Sequence, residues 1–167
     1  YGLDQERLET IVGRLLTTHR LTLATAESCT GGLIGHRITQ GPGSSNSFLR
    51  GYVVYANEAK SEALKVDPAL IQKKGAVSRE VAEALAANVR KTARADIGLA
   101  TTGVAGPSGG TPEKPVGLVY IALADDQSVH AFEYRFTGSR ESVKNRTSQA
   151  ALELLRRQGL QGPLRDA

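Results

Sequence analysis

The chain has 167 residues, 40% hydrophobic and 23% charged, enough to bury one full core and too apolar for a disordered polymer. No apolar run approaches the ~20 residues of a membrane span, and no basic-plus-apolar leader is present, so the sequence reads as soluble, with no membrane partner. The net charge of +4 suits an anionic partner. With only three Phe and five Tyr for base stacking, and Lys and Arg scattered, a small anion is expected rather than a nucleic acid.

In chain order, Leu8, Ile11, Val12, Leu15 and Leu16 recur at helical spacing and predict an amphipathic helix over 4–18. Residues 21–25 alternate as a strand, and the pattern then breaks at Glu27-Ser28. A helix is expected from near Ser28 to about Thr39, with Gly31-Gly32 in the turn between. The Gly- and Ser-rich stretch 40–46 is a loop by composition, and 51–56 is rich in β-branched and aromatic residues, a second strand. Asn57 is placed as the cap of a short helix bearing Glu58, Lys60 and Leu64. Asp67-Pro68 opens another, Gly75 breaks it, and Ser78 caps a longer helix carrying Val81, Leu85 and Val89. A third strand over 96–101 leads into a loop too rich in Gly and Pro to be regular. Strands over 116–123 and 129–136 pair as a hairpin around Asp125-Asp126. A last helix over 139–157 ends in a polar tail from Gly159.

Five strands interleaved with helices predict a three-layer α/β/α sandwich on a mixed, mostly parallel five-stranded sheet. Strand four is antiparallel because it returns without a helix. No linker or repeat divides the chain, so residues 1–167 form one expected domain with its core at 4–158. The chain begins at Tyr1 rather than Met, which leaves room for a preceding segment. Four unusual loops then follow the C-terminal ends of parallel strands, the edge where open α/β sheets bind ligands. They are 27–32, 55–60, 102–110 and 138–140.

The chemistry at that edge narrows by residue type. Ser28 is a candidate nucleophile that needs a base, and His19, His36 and His130 fall outside the four loops, so no Ser-His-Asp triad is supported. Lys60 is the better base. Free lysine has a pKa of about 10.4, so acting near neutrality requires the neutral form to be favoured by roughly 3 units, or ~4 kcal/mol. Tyr55 could relay a proton or hold the lysine. Backbone donors at Thr30 and Gly31 could receive an oxyanion. The loop through Gly103, Gly109 and Gly110 could form an anion nest, with Arg140 adding a fork. From spacing alone, the first reading is that Ser28 or Thr30 is an N-cap and that Lys60 pairs with Glu58 or solvent. One cysteine and three dispersed histidines give no metal cluster. Cys29 excludes an internal disulfide and fits a reducing cytosol, so a cytoplasmic protein is expected.

Glu27-Ser28-Cys29-Thr30-Gly31-Gly32, Tyr55-Ala56-Asn57-Glu58-Ala59-Lys60, Gly75-Ala76-Val77-Ser78 and the run from Thr102 to Gly117 occur in this order. Together they resemble the CinA C-terminal domain family, whose active members are nicotinamide mononucleotide deamidases. The likeness extends from about Leu8 to Leu155, with Ala56 where the family usually has Ser. It implies hydrolysis of the nicotinamide carboxamide to nicotinic acid mononucleotide and ammonia, a step of pyridine nucleotide metabolism. Ser28 matches the family's nucleophile, Lys60 its base, and Tyr55, Thr102 and Arg140 its further site positions. Thr102, Arg140 and the glycine loop would hold the 5′-phosphate. No metal or organic cofactor is implied, and a homo-oligomer is, a dimer foremost. Two alternatives stay open: a non-catalytic module of competence or DNA-damage responses, and an amidase for another phosphorylated amide.

Overall fold

The computed structural model describes residues 6–160. Its five strands are β1 (Leu23–Glu27), β2 (Phe48–Val53), β3 (Ile97–Gly103), β4 (Leu118–Ala124) and β5 (Val129–Arg135). They form one sheet in the order β2-β1-β3-β4-β5. β1 is parallel to both β2 and β3, while β4 runs antiparallel to β3 and β5. This is the mixed sheet the chain order implies. The helical crossovers force parallel pairing, and the helix-free return after β3 reverses β4.

Two helical layers cover the sheet. Helices α1 (Leu8–His19), α2 (Leu33–Ile38) and α6 (Arg140–Leu154) share one face, and α3 (Asn57–Leu64), α4 (Pro68–Lys74) and α5 (Arg79–Ala93) the other. Alternation along β1 assigns its side chains to the two cores. Leu23 joins the cluster with Val12, Ile34 and Leu152, whereas Ala24 and Ala26 join Leu85 and Val89 of α5. Glu27 and Ser28 continue this alternation towards opposite faces, and the site depends on that divergence.

Several boundaries differ from the sequence reading. The second strand lies three residues earlier than expected, because Phe48 and Arg50 pair with Leu23 and Ala24 across an irregular register, and the ladder ends at Val53. Tyr55 is therefore past the strand. The helix expected from Ser28–Thr30 starts only at Leu33. Gly31 and Gly32 take φ of +60° and +98°, a left-handed turn that cannot belong to a helix. Asn57 is the first helical residue of α3 rather than its cap, which is Ala56. Ser78 and Ser139 do cap α5 and α6, each accepting a backbone N–H. After Leu154 the last helix widens to π geometry at 155–159. The polar tail beyond residue 160 lies outside the described residues.

The close approach of α5 to the sheet depends on Gly98 in β3. A Cβ there would lie 2.1 Å from the Ala86 carbonyl oxygen and 2.9 Å from Arg90 Cβ. Both obstacles belong to a helix whose inner face is fully buried, so α5 would have to move outward. Gly98→Ala is expected to cost about 2–3 kcal/mol or more, read as a lower urea midpoint at unchanged slope, whereas the same change at Gly13, with open space around it, is expected not to destabilise.

Candidate active site

The loops after β1, β2 and β3 and the start of α6 meet at one end of the sheet, and the residue at their centre is Lys60. On α3 it occupies the buried stripe with Leu64, four residues on, where an aliphatic side chain would be ordinary. Its exposure is 1%. The amine Nζ lies 3.1 Å from Ser28 Oγ, 2.9 Å from the Val54 carbonyl and 3.1 Å from the Tyr55 carbonyl. Ser28, itself 8% exposed, sits where β1 ends, anchored by its N–H to the Thr101 carbonyl of β3 at 3.0 Å. A hydroxyl and an amine from different crossovers thus meet in one desolvated place.

Burial is the main cause that lowers the Lys60 pKa from its ordinary value, opposed by Cys29 and Glu58. The hydrogen-bond inventory fits a neutral amine. Nζ donates to the Val54 and Tyr55 carbonyls and lies in hydrogen-bond reach of Ser28 Oγ; in the neutral amine the third position is a lone pair, able to take the Ser28 hydroxyl proton. An ammonium would also find three acceptors, but no carboxylate is hydrogen-bonded to it among the described residues, and an unpaired buried charge is costly.

The turn carrying Ser28 is held from below by Glu27, which the sequence reading left without a role. Its carboxylate, 2% exposed, accepts the N–H of Ile34 at 2.9 Å and of Gly35 at 3.0 Å. The start of α2 is thereby tied to the end of β1, and the turn between them is clamped at both ends. A second tie joins Thr30 Oγ1 to Thr101 Oγ1 at 2.8 Å. The available signal was the strand alternation, which sends Glu27 to the face opposite Ser28, towards the helix that follows.

The remaining expected residues have more varied positions. Gly31 is not an open oxyanion donor, since its N–H closes the turn on the Ser28 carbonyl at 3.0 Å. The N–H groups of Cys29, Thr30 and Gly32 donate to no carbonyl among the described residues, and those of Thr30 and Gly32 flank Gly31 in this turn. Tyr55 meets Lys60 through its main-chain oxygen. The residue is 55% exposed, and its hydroxyl accepts from Arg140 Nη2 at 2.6 Å. Arg140 Nη1 donates to the Gly106 carbonyl at 2.8 Å, so this guanidinium fastens the glycine loop to Tyr55. The Thr102 hydroxyl donates to the Ala76 carbonyl at 2.8 Å and holds the 75–78 loop. The space beside Gly103 and Gly110 is filled by main chain of Leu118 and Val116, at 2.8 Å from a Cβ in each case. Only Gly109 faces open space. Burial pushes the Cys29 thiol up to about 12, so it is an inert packing group. Among the described residues no cluster of three His, Cys, Asp or Glu is arranged to hold a metal ion, and no helix is long and apolar enough to cross a membrane.

The fold and this edge define a class: a three-layer α/β/α protein with a buried serine–lysine pair at the C-terminal end of its first strand. Residues 5–158 match the CinA C-terminal domain family, and the chain belongs to that family. A relative from Moorella thermoacetica, named for competence and damage induction, is 50% identical over 155 residues, covering 93% of this chain and 37% of its own length. One of the same name from Thermoanaerobacter sp. (strain X514) is 48% identical over 157 residues, 94% of this chain and 38% of the relative. The chain thus spans well under half of the curated relatives it matches. Among solved structures, the competence/damage inducible protein CihA from Agrobacterium tumefaciens superposes with a TM-score of 0.84 at 38% identity, covering 93% of this chain and 97% of that one. A CinA superfamily protein from Escherichia coli gives 0.86 at 30% identity, with 93% and 92% covered.

The clamp formed by Glu27 is directly testable. Glu27→Ala strands one buried and one half-buried N–H group and is expected to lower stability by about 2–3 kcal/mol in chemical denaturation, with amide exchange of Ile34 and Gly35 accelerating more than that of β3.

Proposed function

We propose that this chain is an amidohydrolase that converts nicotinamide mononucleotide to nicotinic acid mononucleotide and ammonia through Ser28 and Lys60. The observation that carries the reading is the 3.1 Å approach of a buried amine, held by two main-chain carbonyls, to the Ser28 hydroxyl. The family likeness supplies the substrate.

In the first half-reaction the Ser28 hydroxyl proton passes to Lys60 Nζ as Oγ bonds to the carboxamide carbon. The oxyanion faces the free N–H groups of Thr30 and Gly32, a contribution typically worth ~3–4 kcal/mol per donor. The carbon–nitrogen bond then breaks, Lys60 returns its proton to the departing amine, and ammonia leaves a Ser28 ester. In the second half-reaction water gives a proton to Lys60 and its oxygen to the acyl carbon. The Oγ–carbon bond breaks and Ser28 is reprotonated, releasing the carboxylic acid, which ionises. One amine serves as base and acid in both halves because its two carbonyl partners keep it aimed at Oγ. Tyr55 contributes the carbonyl of this aim, and its phenol, held by Arg140, borders the entrance.

Ammonia release from nicotinamide mononucleotide is the test. Ser28→Ala and Lys60→Met are each expected to lower kcat by at least ~10³-fold while the circular dichroism spectrum is retained. No release by the parent chain would instead favour a non-catalytic binding module. The sign of the pH dependence follows from the lowered Lys60 pKa. The base must be neutral, so kcat/KM should rise with pH through a value below 10.5 and then level off. Stability moves the same way. Between the lowered folded value and 10.5 the unfolded chain holds the extra proton, so stability increases with pH across that window. Lys60→Met should remove this part of the slope in denaturation series run across that range.

A further inference from the structure

Two hydroxyls beneath the Ser28 turn have no part in the amide chemistry described so far. Thr101 is fully enclosed in β3, Thr30 is 1% exposed, and their side-chain oxygens meet at 2.8 Å. A hydroxyl withdrawn from water costs free energy unless it is bonded, whereas a pair of valines of the same shape carries no such cost. The surroundings of Thr101 are aliphatic: Leu99 two residues earlier and Ile121 across the ladder belong to one core. Packing alone is therefore satisfied by valine at 101, and the hydroxyl needs another reason.

Alternation along β3 turns Thr101 to the same face as Leu99, and Thr102 to the face of Ala100 and α5. Ser28 meets Lys60 on the α3 side, so the Thr101 hydroxyl lies across the turn from the nucleophile. From there Thr101 meets three consecutive residues. Its carbonyl accepts the Ser28 N–H at 3.0 Å, and its hydroxyl meets both the Cys29 sulfur and Thr30 Oγ1.

The turn needs such a hold. Gly31 and Gly32 take φ of +60° and +98°, and glycine is the residue least restrained by its own sterics. The Thr30 N–H donates to no described carbonyl, so its direction follows the rotation of the 29–30 peptide unit. A hydrogen bond between two hydroxyls is directional and fixes the Thr30 side chain in angle as well as place. Two methyl groups there would pack without that constraint.

We propose that Thr101 is a positioning residue of the active site. Its hydroxyl, acting through Thr30, holds the 29–30 peptide unit so that the Thr30 N–H points at the oxyanion formed when Ser28 attacks an acyl carbon. The role rests on the amidase reading for its reaction, while the tie itself does not. Neighbouring residues of β3 thus serve the site from opposite faces, Thr102 by holding the 75–78 loop and Thr101 by holding the turn.

The experiment compares the parent with Thr101→Val, Thr101→Ser and the double variant Thr30→Val/Thr101→Val. Thr101→Val alone strands the Thr30 hydroxyl and should lower the urea midpoint, whereas the double variant, lacking both hydroxyls, should keep it. In ammonia release from nicotinamide mononucleotide, both valine variants should lose about tenfold or more in kcat, with KM within about threefold of the parent. The pH midpoint of kcat/KM should not move, because Lys60 is untouched. Thr101→Ser, which keeps the hydroxyl, should stay within about threefold of the parent in kcat. Sulfonylation of Ser28 by phenylmethylsulfonyl fluoride, followed by intact mass, should slow in the same order. Parent-like kcat in the double variant, a Thr101→Ser as slow as Thr101→Val, or a loss confined to KM would overturn the proposal. If the parent releases no ammonia but sulfonylation still follows the hydroxyl, the amidase reading falls and the positioning role stands. A parent inert in both assays removes both.

Discussion

The arrangement at the sheet edge depends on one desolvated amine. Lys60 is almost fully enclosed, and its three nearest polar neighbours are two main-chain carbonyls and a hydroxyl. Water would stabilise the ammonium, but this pocket offers it no hydrogen-bonded carboxylate among the described residues, so the balance shifts towards the neutral form. The carbonyls of Val54 and Tyr55 are available because β2 stops at Val53 and the chain turns into α3 with those two groups unpaired by the sheet. The end of a strand therefore creates the acceptors that orient the base.

The same economy governs the nucleophile. β1 is buried along its whole length, and its alternation cannot stop abruptly at Glu27. Glu27 projects to the α2 face and secures the start of that helix, so Ser28 projects to the α3 face and meets Lys60. A left-handed glycine pair then returns the chain into α2 without covering the hydroxyl. Structural and chemical duties are divided between adjacent residues by strand geometry alone.

Much of this was legible in the residues. The crossovers required parallel strands, the helix-free return required one antiparallel strand, and together they sent the Ser28, Lys60 and Arg140 loops to a common edge. The helix cap at Ser78 followed from composition. What could not be read was anything set by tertiary distance. Lysine at helical spacing with leucine does not reveal whether its amine reaches a serine 32 positions earlier. The Tyr52–Tyr55 run has strand composition, yet the ladder ends at Val53 because β1 offers no further partner. Gly31 looked like an open donor because sequence does not say that its N–H closes the turn on Ser28. Glu27 was overlooked because a carboxylate before a candidate nucleophile invites a catalytic role or none, whereas its partners are two backbone amides seven and eight residues on.

Whether the amine is neutral where it must act is the central matter, and it can be observed without substrate. Following the Lys60 side-chain carbon and nitrogen resonances by NMR during a pH titration, with Lys60→Arg to assign them, reads its protonation in the folded chain. A midpoint well below 10.5, displaced further from that value than any exposed lysine, is the expected result. A midpoint at or above 10.5 would mean that Lys60 remains an ammonium in the folded protein and cannot take the Ser28 proton.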